Sequence, residues 1–276
     1  MQPGTAYERY TVTVDQIKSF REQGFLKVEQ LVPPEDIQEL SDHTMGLIYG
    51  RIEVPGLEPP APGLSIQETE KRYLRLHMLH RKLELHERYL LHPRILDVLE
   101  VLIGPDVMAM QTMLFIKAPG APGQGYHQDS YYIPTLPDTL CGAWIAIDDA
   151  DEGNGCMYMV PGSQYEPITR NVQKPEDTDE HQENLTEIIG VDRTKEVPVM
   201  ATAGDVVFFG GHVKHRSIKN RSASRLRRAF VSHYANARSY TEWGGGNQNH
   251  ILARGRTHLP YARPTFYPDY DPERVA

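Results

Sequence analysis

The sequence predicts an α+β protein, mainly β, in which N-terminal helices buttress a sandwich or barrel of short strands. Up to residue 104 the apolar pattern is mainly helical. From 105 to 240 the chain carries short β-branched or aromatic runs bounded by Gly, Pro or Asp. Helices first and strands afterwards are typical of an α+β chain, and short strands at this spacing indicate a β-sandwich or barrel.

The helices of the N-terminal part have recognisable start and stop signals. Thr13 and Gln16 form a capping box before IKSFREQ, and Gly24 is expected to end that helix. Pro34 suits the first position of a second helix, because its missing N–H would be unpaired there in any case. Pro93 opens a further helix in the same way, and its stop is expected at Gly104.

Between these helices, the proline-rich segment 52–65 predicts an exposed loop, because proline lacks the N–H that regular structure needs. The polar, acid-rich segment 170–190 is long enough to act as a lid. We expect both segments to close over a substrate. The whole chain, 1–276, is predicted to form one domain. Its expected parts are a helical buttress (1–104), a strand core (105–240) and an irregular C-terminal tail (241–276).

Composition excludes several classes of protein. Hydrophobic residues make up 39% and charged residues 24% of the 276 residues, as in ordinary globular proteins. The net charge of −8 argues against nucleic acid or an anionic membrane as a partner. The chain has no apolar run of the roughly 18 residues that a spanning helix needs. Cys141 and Cys156 lie in apolar runs and are expected to be buried thiols, which suits a reducing cytoplasm.

The stretch GYHQDSYY contains a candidate metal site. Side chains two apart in an extended strand point the same way, so His127 and Asp129 can reach one ion. A third ligand could come from His212 or His215, which follow the strand GDVVFF. Their odd spacing places them on opposite faces of a continuing strand, so only one is expected to face the metal. Two histidines and one carboxylate form the facial triad typical of non-haem Fe(II) oxygenases.

Several stretches resemble the phytanoyl-CoA dioxygenase family of Fe(II)- and 2-oxoglutarate-dependent oxygenases. They are MAMQTML (108–114), HQDSYYIP, AWIAIDDADEGNGCMYMVPGSQ, GDVVFF, HRS and RRAFVSHYA. The resemblance covers roughly the C-terminal half, with weaker likeness from about residue 72. It implies that the strand core is a double-stranded β-helix, that is, a cupin-like jelly-roll.

The resemblance also implies roles for individual residues. His127, Asp129 and His215 match the iron ligands, while Arg227 and Ser217 match the residues that hold the far carboxylate of 2-oxoglutarate. Arginine suits that carboxylate because its guanidinium is a planar, permanently charged fork. Arg225 or Arg228 could take its place if the spacing differs by a residue or two. Further contacts of the co-substrate pocket are expected from Met113, Gln128, Trp144 and Arg75.

The implied reaction uses Fe(II), 2-oxoglutarate and O2, releases succinate and CO2, and hydroxylates an unactivated C–H bond of a small molecule. Related halogenases have a small residue in place of the carboxylate ligand, so Asp129 favours hydroxylation. Two other classes stay open. One is a cupin-like isomerase or hydrolase that does not use 2-oxoglutarate, and the other is a non-catalytic jelly-roll binding protein. The sequence does not indicate the primary substrate or the oligomeric state.

The remaining basic residues and histidines allow more than one interpretation. Seven basic residues between 214 and 228, with no acid among them, form either a solvated rim plus one co-substrate arginine or a docking site for an anionic substrate. His77, His80, His86 and His92 lack the spacing of a metal motif and are expected to be surface or packing residues. His233 could face the interior and is expected to be a hydrogen-bonded core histidine.

Overall fold

The computed structural model describes residues 7–274, so residues 1–6 and 275–276 of the expected domain lie outside the described range. Its strands, in chain order, are β1 (Phe25–Val28), β2 (Arg75–His77), β3 (Val107–Lys117), β4 (Gln124–His127), β5 (Cys141–Ala146), β6 (Met157–Met159), β7 (Val172–Gln173), β8 (Glu187–Ile188), β9 (Val197–Val199), β10 (Val206–Gly210), β11 (His215–Ser217), β12 (Arg227–Asn236) and β13 (Ile251–Arg254).

Two antiparallel sheets build the centre of the fold. The larger has the order β1-β10-β5-β12-β3-β13, and β2 also pairs with β3. The smaller has the order β4-β11-β6-β9, and β7 and β8 form a separate pair. This mainly-β arrangement confirms the expected jelly-roll class.

The helices are α1 (Val14–Gln23), α2 (Pro34–Ile48), α3 (Ile66–Lys71), α4 (Glu84–Leu90) and α5 (Pro93–Leu102). The predicted start signals are confirmed, since Thr13 and Gln16 form a reciprocal capping box and Pro34 and Pro93 open their helices. Gly24 ends α1 with φ +84°, in the left-handed region that glycine adopts without strain.

Strand β12 shows how the large sheet separates its two faces. Phe230 and Tyr234 pack into the cluster that the helices cover, together with residues of α2 and α5. Ala229 and Val231, which alternate with them, pack instead into the cluster between the two sheets. Because alternate side chains of a strand point to opposite faces, one face of β12 is used for helix packing and the other is available for a site.

The expected boundaries differ from the structure at both ends. The N-terminal part contributes β1 and β2 to the large sheet, in addition to its helices. The tail 241–276, expected to be irregular, contains β13, which pairs with β3 at the edge of that sheet. The short run ILAR has too few residues to show strand alternation by itself, so its pairing depends on the edge that β3 offers.

Candidate metal centre

Three side chains converge where β4 meets β11. His127 and His215 are directly opposed partners in this strand pair, and Asp129 begins a 3₁₀ turn just after β4. Asp129 Oδ1 lies 3.5 Å from His127 Nε2 and 3.8 Å from His215 Nε2. One ligand atom from each residue lies within 4.8 Å of the other two. The structure therefore brings together the three predicted ligands.

Hydrogen bonds orient both imidazole rings. His127 Nδ1 lies 2.9 Å from the carbonyl of Gly125, and His215 Nδ1 lies 2.9 Å from the carbonyl of Val213. A carbonyl only accepts, so each Nδ1 carries the hydrogen and each Nε2 is the ring atom left to bind a metal ion. Burial, with a further contribution from His215, lowers the pKa of His127 to about 3. A neutral imidazole is the form that binds a metal ion.

A second layer of side chains holds the carboxylate. His233 Nε2 lies 2.8 Å from Asp129 Oδ2, and His233 Nδ1 lies 3.0 Å from Gln111 Nε2. The Gln111 amide donates to Nδ1 and His233 donates from Nε2 to the carboxylate, so both ring nitrogens are paired. Burial alone would raise the pKa of Asp129, but the interactions with His215 and His233 lower it overall. His233 is thus hydrogen-bonded, as expected, and its partner is a predicted metal ligand.

The donor set fits Fe(II). Two neutral imidazole nitrogens and one carboxylate oxygen lie on one side of a cavity of about 280 Å³, which leaves the opposite side open for further ligands. One side chain must move, because Gln124 Nε2 lies 2.9 Å from His127 Nε2, the lone pair that a metal ion would take. Gln124 is a half-buried residue of the cavity wall, so its amide can turn aside.

Arg227 lies at the other end of the same cavity. Its side chain is 3% exposed, its Nε donates to the carbonyl of Gly155 at 3.1 Å, and its guanidinium lies 5.8 Å from the ring centre of Trp144. Burial lowers its pKa to about 10, which leaves it charged at neutral pH. No carboxylate pairs with it among residues 7–274. A buried, charged and unpaired arginine is suited to an anionic ligand.

The hydroxyl of Ser217 can donate a hydrogen bond at the Arg227 end of the cavity. Its hydroxyl oxygen accepts from the backbone N–H of Gln124 at 3.1 Å and from Nζ of Lys117 at 2.9 Å. A hydroxyl has two acceptor positions and one hydrogen. Since both acceptor positions are used, the hydrogen is available to a ligand beside Arg227.

The cavity between the two ends is lined by small and apolar groups. On β12 the inward face reads Arg227, Ala229, Val231 and His233. Met113 and Trp144, both predicted pocket residues, are the strand partners of Val231 and line the cavity. The two short β12 side chains therefore leave room between the metal ligands and Arg227.

Arg75 also reaches the cavity, from β2. Its Nη1 donates to Gln182 Oε1 at 3.2 Å, and burial lowers its pKa. Gln182 belongs to the segment 170–190, which thus contributes to the cavity wall. The proline-rich segment 52–65 contributes none of the lining residues in the described part of the chain.

Gln128 was expected in the co-substrate pocket, and the structure corrects this. Its amide donates to the carbonyl of His212 at 2.8 Å and accepts from the backbone N–H of Thr169 at 2.9 Å. It points away from the cavity because it alternates with its neighbours His127 and Asp129. His212 itself pairs with Asp138 at 2.9 Å, outside the metal cluster.

The basic residues 214–228 are mostly neutralised. Six of the seven form ion pairs with carboxylates: Lys214 with Glu166, Arg216 with Glu196, Lys219 with Asp179, Arg221 with Glu180, Arg225 with Asp151, and Arg228 with Asp148. This favours the rim interpretation over a docking site for an anionic substrate. The pairing of Arg225 and Arg228 also makes Arg227 the suitable arginine for a co-substrate.

Three lining residues were missed or differently placed by the sequence analysis. Gln111 and Lys117 lie on the inward face of β3, and His77, expected on the surface or in packing, lines the cavity from β2. The signal was available, since Gln111, Met113 and Lys117 share one face of the run QTMLFIK at alternate positions. His80, His86 and His92 are buried, in keeping with packing roles.

A jelly-roll with a facial triad at one end of a cavity and an unpaired arginine at the other defines an enzyme of the non-haem iron, 2-oxoglutarate-dependent oxygenase class. The family described as Phytanoyl-CoA dioxygenase (PhyH) matches residues 20–229. The chain is 29% identical over 255 residues to the Homo sapiens "Phytanoyl-CoA dioxygenase, peroxisomal", covering 87% of this chain and 73% of that protein. The chain belongs to the phytanoyl-CoA dioxygenase family.

Solved structures agree on the fold. The apo form of the non-haem monooxygenase ThoJ superposes with a TM-score of 0.68 at 24% identity, covering 91% of this chain and 89% of the other. The epimerase SnoN, in complex with Fe3+, alpha ketoglutarate and nogalamycin RO, gives 0.64 at 18% identity, covering 91% and 94%. Within residues 7–274, no helix is both long and apolar enough to cross a membrane.

Proposed function

We propose that this protein uses Fe(II), 2-oxoglutarate and O2 to hydroxylate an unactivated C–H bond of a small molecule, with release of succinate and CO2. The observation that carries the proposal is the unpaired Arg227 in the cavity of the His127, Asp129 and His215 triad. An isomerase or hydrolase without a 2-oxo acid has no use for such an arginine, and a non-catalytic binding protein has no use for the triad.

The residues at the two ends of the cavity have different proposed roles. The three ligands would hold iron, which when bound supplies the oxidising chemistry with O2. Arg227 and the free hydrogen of Ser217 would fix the far carboxylate of 2-oxoglutarate. Arg75 is proposed as a second basic contact for the co-substrate, from the side of the cavity that β2 forms.

The cavity wall between the two ends is partly apolar. Met113, Trp144 and Val231 present apolar surface there, and an apolar wall protects a reactive centre from side reactions. The segment 170–190 is proposed as the lid, because its Gln182 and Leu185 already line the cavity. The primary substrate would enter on this side.

The first experiment is anaerobic. Fe(II) and 2-oxoglutarate added to the protein should give the weak visible charge-transfer band of a chelated 2-oxo acid. Arg227→Ala should lose the band at concentrations that saturate the wild type. Arg225→Ala is the matched control, since Arg225 is exposed and pairs with Asp151. Absence of the band in the wild type, or a band unaffected by Arg227→Ala, would overturn the assignment.

The second experiment tests the outcome of the reaction. A small-molecule collection is screened for 2-oxoglutarate turnover to succinate, and products are examined by mass spectrometry. Hydroxylation predicts the mass of one added oxygen atom. Turnover that yields an isomer or a desaturated product would support the oxygenase class and reject hydroxylation. Asp129→Ala should abolish succinate formation in every case.

A further inference from the structure

Lys117 is a buried lysine that the proposed function does not use. It is the last residue of β3, it is 5% exposed, and its strand partner is Arg227. Nζ donates to Ser217 Oγ at 2.9 Å and to the carbonyl of Ile218 at 2.5 Å. Neither contact supplies a negative charge. The described part of the chain thus holds two neighbouring buried cationic side chains with no carboxylate between them.

This arrangement is costly without a ligand. Burial lowers the pKa of Lys117 well below its usual value, Arg227 lowers it further, and the thiol of Cys156 opposes the change. An ammonium group has three hydrogens, and the two contacts above use two of them. The third is unassigned, and Lys117 lines the cavity.

Gly155 makes room for the two cations together. Its carbonyl accepts from Arg227 Nε, and a Cβ at this position would lie 2.7 Å from Cδ of Lys117. Its φ of +93° is also in the region that glycine favours. The same residue therefore positions the guanidinium and leaves the space that the lysine stem occupies.

We propose that Lys117 and Arg227 form a paired cationic anchor for the far carboxylate of the 2-oxo acid, with the Ser217 hydroxyl as a third donor. This inference rests on the proposed function, because it requires a 2-oxo diacid in the cavity. A carboxylate at this place accepts from the Ser217 hydroxyl, from the Arg227 guanidinium and from the free hydrogen of Lys117. The negative charge compensates both cations, which stabilises the protonated form of Lys117.

Direct binding measurements test the pairing without turnover. Anaerobic Fe(II)-loaded protein is titrated calorimetrically with 2-oxoglutarate and with 2-oxopentanoate, a five-carbon 2-oxo acid that lacks the far carboxylate. Lys117→Met should weaken 2-oxoglutarate binding about 10- to 100-fold, as expected for a lost charge-assisted hydrogen bond. Binding of 2-oxopentanoate should be almost unchanged. Lys214→Met, which removes a rim lysine paired with Glu166, is the matched control.

Proton uptake gives a test that needs no variant. If Lys117 is partly deprotonated in the free site, binding of 2-oxoglutarate should take up protons, up to one per site. The uptake is measured from the binding heat in two buffers of different ionisation enthalpy near pH 8. It should disappear with 2-oxopentanoate, and also in Lys117→Met and Lys117→Gln, whichever of the two folds with the wild-type melting temperature.

The outcomes separate this inference from the proposed function. Failure of the Fe(II)-loaded wild type to bind 2-oxoglutarate rejects the proposed function. If the wild type binds it, equal weakening of both acids by Lys117→Met assigns Lys117 a purely structural role at Ser217 and Ile218 and rejects the anchor. Unchanged binding of both acids by Lys117→Met also rejects the anchor, and proton uptake that persists in the Lys117 variants rejects Lys117 as the group that takes up the proton.

Discussion

His233 donates from Nε2 to Asp129 Oδ2 at 2.8 Å, which leaves Oδ1 of the carboxylate directed at the two ligand histidines. The two residues are 104 positions apart in the chain, with His233 on β12 of the large sheet and Asp129 in the 3₁₀ turn that follows β4 of the small sheet. This contact therefore ties the metal ligand that follows the small sheet to the central strand of the large sheet. Loss of this hydrogen bond should therefore weaken metal binding.

We expect His233→Ala to weaken metal binding roughly 10- to 100-fold, the usual effect of removing a hydrogen bond to a metal ligand. The affinity is measured by competition of the protein with a chelator for Co(II) or Mn(II). His212→Ala is the control, because His212 also pairs with a carboxylate, that of Asp138, but outside the cluster. Equal effects of the two substitutions would contradict the role given to His233.

Gln128→Ala should reduce stability more than it affects the co-substrate. The substitution removes the bonds to His212 and Thr169 and leaves two partly buried backbone groups unpaired, which costs about 1–3 kcal/mol. Chemical denaturation measures the free energy of unfolding, and calorimetry measures 2-oxoglutarate affinity. A large loss of 2-oxoglutarate affinity with unchanged stability would show that Gln128 contacts the co-substrate after all.

Acid should destabilise the fold below about pH 6.5, through buried histidines outside the cluster of metal ligands. Burial lowers the pKa of His43 and of His80 to about 4, and it also lowers that of His86 well below its usual value. The unfolded state then binds more protons between these values and the usual histidine pKa, so stability is present above that window and is lost as pH falls through it.

His86 offers the variant for this prediction. Neither ring nitrogen has a hydrogen-bond partner in the described structure, and its ring lies 5.1 Å from that of Phe230. His86→Leu should therefore flatten the decline in melting temperature between pH 7.5 and pH 5. The comparison is made with the wild type at each pH. A variant as acid-sensitive as the wild type would show that another group controls the decline.

Closure of the segment 170–190 should be visible by limited proteolysis. Fe(II) with 2-oxoglutarate, and more so with a primary substrate, should slow cleavage after its glutamates, because Gln182 and Leu185 line the cavity. The segment 52–65 is an internal control, since its described residues do not line the cavity. Equal protection of both segments would indicate a general change in stability. No protection of 170–190 would contradict its role as a lid.

Much of the site was predictable because its signals are local. The spacing of His127 and Asp129 and the basic residue on the strand after His215 depend only on alternation and chain order. Strand alternation left the third ligand open between His212 and His215, the family resemblance selected His215, and His215 is the strand partner of His127.

Other parts of the site depend on strand register. The approach of Lys117 to Arg227, the contact of His233 with Asp129, and the pairing of β13 all require knowing which residues of distant strands are opposed. Gln128 shows the reverse case, since the family resemblance suggested the pocket, while its side chain bonds to His212 and Thr169 instead.

One uninterrupted strand, β12, carries both His233 and Arg227. The distance between the metal end and the arginine end of the cavity is therefore fixed, and it sets the length of ligand that can reach both. The backbone of β12 is hydrogen-bonded to β3 and to β5, and the register shift against β3 falls just beyond His233. The span between the oxidising end and the anchoring end cannot be adjusted without breaking those ladders. A 2-oxo diacid one carbon shorter or longer than 2-oxoglutarate would therefore fit the metal end or the Arg227 end, but not both at once.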